Sequence, residues 1–348
     1  MLLLNINHHT WALKLNNNDT LLLVAHNPGI AAAAVALLQD TLAPALIGRD
    51  PKRIDGIWRD LLFVTHATSV GAITSLALAA IDTALWDLRC RKQGLPLWKA
   101  AGGNRDRIPC YSTEGGWLHL EPQALVEDAL AMQAQGFKGS KIKIGCNHLS
   151  GDAARLSAVR DAVGAGYEIM TDANQGFSLS EAIRRLSLLA EHGIAWFEEP
   201  LPADDVAGHA TLARHSPVPI AVGESLYSLS QFKDYLNSDA ASIIQVDVAR
   251  IGGITPWLKV AHLAEAFNVT VCPHFLMELH VSLTCAVPNG KYVEYIPQLD
   301  ELTSSRMRIE NGQAYAPSEL GIGIDWDWDA VCGKSIPEFT SVITERED

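Results

Sequence analysis

The chain lacks most of the features that assign a protein to a class at a glance. Its six cysteines (Cys90, Cys110, Cys146, Cys272, Cys285 and Cys332) include no CxxC pair. That spacing argues against a zinc or disulfide framework and for buried thiols in a reducing compartment. Basic residues are scarce: 27 Lys and Arg stand against 40 Asp and Glu, a net charge of −13. Neither nucleic acid nor an anionic membrane finds a complementary face on such a molecule. An acidic small molecule is still allowed, because a bound cation can reverse the local field. No apolar run approaches the length of a membrane span, and the alanine-rich piece around 30–47 ends in "GRDP". The first residues, "MLLLNINHH", have no basic segment ahead of the apolar one, so no signal peptide is expected and the cytoplasm is the expected location. A GxGxxG turn is absent, which weighs against an open, doubly wound sheet.

What is present is an alternation. Residues 72–93, "AITSLALAAIDTALWDLRCRKQ", predict a long helix with basic residues in its last turn and Gly94 and Pro96 as stop signals. Residues 30–62 predict one or two further helices. Beyond Arg107, short β-rich runs take over: "IPCYST" (108–113), "KIKIG" (141–145), "EIMTDAN" (168–174), "IAWFEEP" (194–200), "PIAVGE" (219–224), "SIIQVD" (242–247), "VTVCPH" (269–274) and "YVEYI" (292–296). Amphipathic segments such as "PQALVEDALAMQAQG" and "SEAIRRLSLLAEHG" lie between them. Eight strands alternating with helices at this spacing predict a closed parallel barrel, an α/β fold.

Seven of these runs carry a polar residue at or near the C-terminal end: Lys143, Asp172, Glu198, Glu224, Asp247, His274 and Glu294. Taken one at a time, an acid just past a strand usually caps the next helix. Seven in one register point instead to the rim where parallel barrels assemble their sites. Asp172, Glu198 and Glu224 fall on consecutive strands, where three crowded carboxylates repel unless a cation neutralises them. An all-oxygen donor set suits a hard ion, Mg²⁺ first and Mn²⁺ second, and zinc less. Asn174 and Glu199 are placed to support these acids or to touch a substrate. Lys141 and Lys143 project from the same strand face. Lys141 is expected to disfavour a second ammonium and so prepare Lys143 to accept a proton. Asp247 and His274 end adjacent strands and predict a carboxylate–imidazole pair. A lysine base, a cation and a histidine–aspartate pair suit abstraction of a proton beside a carboxylate. Glu294, if protonated, would then donate to the second carboxylate oxygen.

The motifs "IDTALWDLRCRKQGLPLWKAAGG", "KIK", "DANQ", "FEEP", "GES", "DVARIGG", "CPHF" and "VEYI" together resemble the mandelate racemase subgroup of the enolase superfamily. The resemblance implies a (β/α)7β TIM-type barrel under an α+β capping domain formed by both termini. The ranges expected are 1–105 for an abbreviated cap, 106–300 for the barrel and 301–348 for a segment returning to the cap. It implies Mg²⁺ at Asp172, Glu198 and Glu224, with Lys143 and His274 facing the substrate from opposite sides. Asp247 would support His274, Glu294 would polarise the substrate carboxylate, and Asn174 and Thr113 would bind substrate. "CYSTEGGWLH" and "PHFLMELH" are similar to the galactarate and L-talarate dehydratases, which implies dehydration of an acid sugar, with a homo-oligomer (dimer or octamer) and a small carboxylate as partners. A 2-hydroxy-acid racemase or epimerase is the nearest alternative, and a catalytically degenerate binding or regulatory protein a further one. One departure stands out. The stretch before the first helices, "MLLLNINHHTWALKLNNNDTLLLVAHNPG", is expected to be too short for the family's usual strands and specificity lid.

Overall fold

A computed structural model describes the chain apart from residues 1, 8–9, 17–18, 25–27, 69, 334–340 and 343–348, with side chains described from 30 to 330 except at 31 and 69. The first stretch departs from expectation. It forms three antiparallel strands, β1 (Leu2–Asn7), β2 (Thr10–Asn16) and β3 (Asp19–Val24), with the strand Ser341–Val342 on the outer edge of β1. Only two residues separate consecutive strands, which is how three fit where the length suggested none. The expectation of an abbreviated lid falls on this stretch, where residues 8–9, 17–18 and 25–27 lie outside the described residues. Helices α1 (Pro28–Leu37), α2 (Ile54–Val64) and α3 (Ala72–Gln93) follow, then the short α4 (Leu97–Ala100). Gly94 ends α3 at φ 67°, the left-handed conformation its sequence predicts.

All eight expected barrel strands are present. They are β4 (Arg107–Ser112), β5 (Gly139–Lys143), β6 (Glu168–Asp172), β7 (Ile194–Glu198), β8 (Ile220–Val222), β9 (Ile243–Ile244), β10 (Thr270–Val271) and β11 (Val293–Tyr295). Strands β4 to β10 pair in sequence order, each parallel to the next, and β11 returns parallel to β4. A parallel bridge from Val271 to Gly290, just ahead of β11, closes the ring. The intervening helices are α5 (Pro122–Ala134), α6 (Leu149–Val163), α7 (Leu179–Glu191), α8 (Val206–His215), α9 (Leu229–Asn237), α10 (Ile254–Ala266) and α11 (Met277–Ala286). A hairpin, β12 (Ile309–Glu310) and β13 (Gln313–Tyr315), adds antiparallel to the start of β4. No helix among the described residues is long and apolar enough to cross a membrane.

The two-residue period of a strand explains how the barrel is filled. Tyr111, Met170, Trp196, Ala221, Ile243, Cys272 and Tyr292 form one buried apolar layer inside the ring. Two residues on from these, toward the strand ends, stand Thr113, Asp172, Glu198, Gln245, His274 and Glu294. Apolar floor and polar mouth are thus the same face of the same strands. The opposite face, with Ile142, Ile144, Ile169, Phe197, Ile220 and Ile244, packs into the helix-facing core. The cysteines fit this scheme: Cys90, Cys110, Cys272 and Cys285 are buried and free, Cys146 is half-buried and free, and Cys332 lies outside the described side chains.

Helix α3 is anchored through two buried carboxyls, one to the C-terminal segment and one to the barrel. Asp87 accepts from the Ile322 amide at 2.8 Å and pairs with Arg91. Asp82 accepts from the Thr255 amide at 2.8 Å, at the start of α10, and a side chain at Gly253 would collide with it. Its other oxygen has no hydrogen-bond partner among the described residues. Burial pushes the Asp82 carboxyl up to about 7, against the pull of the Thr255 hydrogen bonds and a weak attraction to Lys259. An acid that binds its proton more tightly folded than unfolded favours the fold at low pH, and that contribution is lost as pH rises from about 4 through about 7. Asp82→Asn keeps the acceptor for Thr255 without the charge. Urea unfolding should therefore show the variant gaining on the parent protein between pH 5 and pH 8, by on the order of 2 kcal/mol; a pH-independent difference would refute the assignment.

Candidate active site

The C-terminal ends of the barrel strands bring the seven expected residues to one mouth. Strand register sets Lys143 beside Asp172, and Asp172 beside Glu198. Glu224, Asp247 and His274 follow just past β8, β9 and β10, and Glu294 in β11 lies opposite Tyr111 in β4. Asp172, Glu198 and Glu224 each turn a carboxylate oxygen inward, and these oxygens lie within 4.8 Å of one another. All three side chains are buried.

The two ends of this carboxylate row are occupied differently. At one end, the Lys143 ammonium donates to Asp172 and, at 2.8 Å, to Asn174 Oδ1. At the other, His274 Nε2 lies 3.3 Å from Glu224 Oε2, and its Nδ1 lies 2.9 Å from Asp247 Oδ2. Burial alone would lower His274, but Glu224 and the Asp247 hydrogen bond raise it above its ordinary value. Asp247 also accepts from the Ala249 and Arg250 amides, at 2.7 and 3.1 Å. Burial would raise Asp247, yet its bond to His274 holds it well below the usual carboxylate range. The pair therefore favours an oriented, protonated imidazole.

Three expectations change on the structure. Lys141 is not a bare charge set against Lys143. Its ammonium is fully buried between Glu198 Oε1 at 2.8 Å and Glu294 Oε1 at 2.7 Å, with Asp172 at 3.7 Å. Burial works against the ammonium, but these acids hold its pKa well above the ordinary lysine value. Lys141 is thus the counter-charge that lets strands β6, β7 and β11 crowd carboxylates together. Glu294 is ionised, not a donor: burial would raise it, while Lys141 and His274 hold it well below the usual range, and Thr113 and the Phe275 amide donate to it at 2.6 and 2.8 Å. Thr113 stands in the same mouth layer but is 2% exposed, with its hydroxyl committed to Glu294 and not turned toward a substrate. Asn174, by contrast, is exposed at the rim beside Lys143.

Several contributors were not legible from spacing. Arg250 Nη1 binds Glu224 through its carboxylate at 3.2 Å and its carbonyl at 2.9 Å, and its Nε lies 3.9 Å from Asp247. Gln245 and Trp196 donate to Glu198 Oε2 at 2.6 and 3.0 Å. Gln175 bonds Ser225 at 2.9 Å and reaches Glu199. The only available signals were Arg250 within "DVARIGG" and Gln245 two residues before Asp247. The backbone is strained here too: Asn174 (φ 42°), Gln175 (φ 63°), Glu199 (φ 39°), Phe275 (φ 57°) and Leu276 (φ 30°) occupy the left-handed region that non-glycine residues avoid. The Gln175 amide bonded to the Glu199 carbonyl at 2.7 Å and Phe275 bonded to Glu294 help hold these turns.

The charge balance of the mouth fits a cation. Burial pushes Glu198 up to about 8 despite Lys141, with Asp172 and Glu294 adding to the rise, and burial with Glu224 pushes Glu199 up to about 7. The resident ammonium and guanidinium groups leave these acids under-neutralised. Three oxygen donors converging from consecutive strands, with no thiol or imidazole among them, match a hard divalent ion. Asp172, Glu198 and Glu224 are the residues that can hold it.

Two family models match the chain: the mandelate racemase / muconate lactonizing enzyme N-terminal domain over residues 24–102, and the enolase C-terminal domain-like model over residues 124–330. The L-talarate/galactarate dehydratase of Salmonella typhimurium is 35% identical over 282 residues, covering 81% of this chain and 71% of that protein. The crystal structure of L-talarate dehydratase from Polaromonas sp. JS666, complexed with Mg and L-glucarate, superposes with a TM-score of 0.85 at 36% identity, covering 94% of this chain and 91% of that one. A racemase from Streptomyces coelicolor A3(2) with bound magnesium superposes with a TM-score of 0.86 at 32% identity, again covering 94% and 91%.

If the three acids hold a divalent ion, saturating Mg²⁺ or Mn²⁺ should raise the melting temperature by roughly 5 °C. Asp172→Asn should erase most of that rise. Equal shifts in the two proteins, read by differential scanning calorimetry, would place the ion elsewhere.

Proposed function

We propose, from the premise that this chain belongs to the mandelate racemase and muconate lactonizing enzyme family of the enolase superfamily, that it dehydrates an acid sugar to a 2-keto-3-deoxy acid. The substrate class is an aldarate or aldonate of galactarate or talarate type, in keeping with the named relatives. Asp172, Glu198 and Glu224 would hold one Mg²⁺, with Mn²⁺ as a substitute, and that ion supplies the positive charge that makes a proton beside a carboxylate removable.

The observation that carries this reading is the opposed placement of Lys143 and His274 at the two ends of one carboxylate row. Lys143 Nζ, as the free amine, takes the proton from the α-carbon. The electron pair of that C–H bond is first held by the substrate as an enediolate of its carboxylate. As the carboxylate re-forms, the pair becomes the α–β carbon–carbon double bond and the β-hydroxyl leaves. The departing hydroxyl takes a proton from His274 Nε2 and is released as water, and the resulting enol becomes the keto acid. Asp247 on Nδ1 keeps His274 oriented and favours its protonated form. Lys141 holds Glu198 and Glu294 in place. Glu294, as an ionised acceptor, orients what approaches it and does not protonate it. Asn174 is the rim residue placed to meet the substrate.

Racemisation or epimerisation of a 2-hydroxy acid is the second reading, because two proton-transfer groups flanking one site also serve it and one structural neighbour is a racemase. A protein that binds without catalysis would need neither group. A cytoplasmic location and assembly as a dimer or octamer accompany the proposal, and light scattering tests the latter.

The roles separate experimentally. With Mg²⁺ and a panel of acid sugars, the protein should form a keto acid that reacts with semicarbazide. Lys143→Ala should lose about 10³-fold in kcat and also lose exchange of the α-hydrogen with deuterium. His274→Asn should lose keto-acid formation yet retain that exchange. Exchange without loss of water in the parent protein would favour racemisation, and turnover unaffected by Lys143→Ala would remove lysine from the chemistry.

A further inference from the structure

The loop after β4 has a feature that the proposed chemistry does not use. Thr113 is followed by a single tight turn, Glu114–Gly116, and then Trp117. A side chain at Gly115 would collide with Asp128, and one at Gly116 with the Lys141 carbonyl. The two glycines therefore let the loop pack closely, Gly115 against α5 and Gly116 against β5, and Trp117 comes to rest with its ring 5.5 Å from Lys143 Nζ. Its indole N–H donates to Glu114 at 3.3 Å, which holds the ring to its own loop.

The loop is held there by one buried guanidinium. Arg155, on α6 and 4% exposed, donates to the carbonyls of Trp117 at 3.0 Å, Leu120 at 2.6 Å and Lys143 at 3.3 Å. No carboxylate lies within ion-pair distance of it among the described residues. A buried guanidinium is costly unless hydrogen bonds satisfy it, and these three carbonyls do so in a fixed geometry. Here it ties the backbone of the lysine strand to the backbone of the tryptophan loop, so one side chain fixes both elements relative to each other.

We infer that Trp117 is a specificity-determining wall on the lysine side of the mouth, and that Arg155 is the positioning residue that holds it. The inference rests on the dehydratase reading and extends it to stereochemistry. An indole face offers no oxygen or nitrogen to a hydroxyl packed flat against it, whereas it accepts a C–H surface. An acid sugar reaching Lys143 must pass this face with the carbons beyond the reacting pair. The favoured configuration there presents hydrogen to Trp117 and hydroxyl to the opposite side. The epimer presents a desolvated hydroxyl and is discriminated against.

The test compares the best acid sugar with its epimer at the first carbon beyond the reacting pair. The ratio of their kcat/KM values should fall about tenfold in Trp117→Ala, because a hydroxyl disfavoured by an apolar wall is accepted once the wall is gone. Trp117→Phe, which keeps an aromatic face, should retain the ratio. Arg155→Met should lose the ratio as Trp117→Ala does while binding Mg²⁺ as the parent protein does in calorimetry, which a general loss of structure would not allow. A ratio unchanged in Trp117→Ala, with the parent protein active, overturns the inference and leaves the functional reading intact. If the parent protein turns over no acid sugar, the functional reading fails. The ratio of dissociation constants for the two epimers with Mg²⁺ present then judges the wall alone: a ratio that survives Trp117→Ala refutes it.

Discussion

Crowded negative charge at the mouth of a closed barrel is the constraint around which this molecule is arranged. Asp172, Glu198, Glu224, Asp247 and Glu294 come from five strands, and all are buried. Like charges at such distances in a poorly solvated pocket repel strongly. The fold answers with Lys141 between Glu198 and Glu294, Lys143 on Asp172, and Arg250 on Glu224, leaving a deficit that a divalent ion can fill. Buried ion pairs are weak contributors to net stability once desolvation is counted. Their persistence here is a cost borne for function, as is the left-handed backbone at Asn174, Gln175, Glu199, Phe275 and Leu276.

The constraint also explains the layering. An apolar floor of Tyr111, Met170, Trp196, Ile243 and Tyr292 lies one pleat below the acids and keeps water from rising through the barrel. Outside, the alternate side chains pack against the helices. One period-2 pattern therefore does three things: it fills the interior, binds the helical shell and directs charge to one end.

The same pattern is why so much was legible. All eight barrel strands announced themselves through short β-rich runs, seven of them with a chemically active polar residue at or near the end, and those ends form the mouth. The acids and the Asp247–His274 pair could be placed from the strand ends alone, because each is the last residue of its strand or lies within three residues of it. What escaped were relations between strands. Lys141 looked like a neighbour to Lys143 because both lie on β5, but its partners Glu198 and Glu294 lie on β7 and β11. For the same reason Glu294 looked free to be protonated and Thr113 free to touch substrate. Arg250 and Arg155 act across loops, one on Glu224 and the other on three carbonyls, and neither leaves a periodic trace. The N-terminal strands were missed because length was judged without allowing for two-residue connections.

Locating the ion is the most direct trial of the account. Crystals grown with Mn²⁺ and an unreactive acid-sugar analogue should give one anomalous peak in the mouth, at about 2.2 Å from oxygens of Asp172, Glu198 and Glu224. Lys143 and His274 should stand on opposite sides of the bound analogue. A peak bound by other residues, no peak at saturating metal, or both groups on one side of the analogue would contradict it.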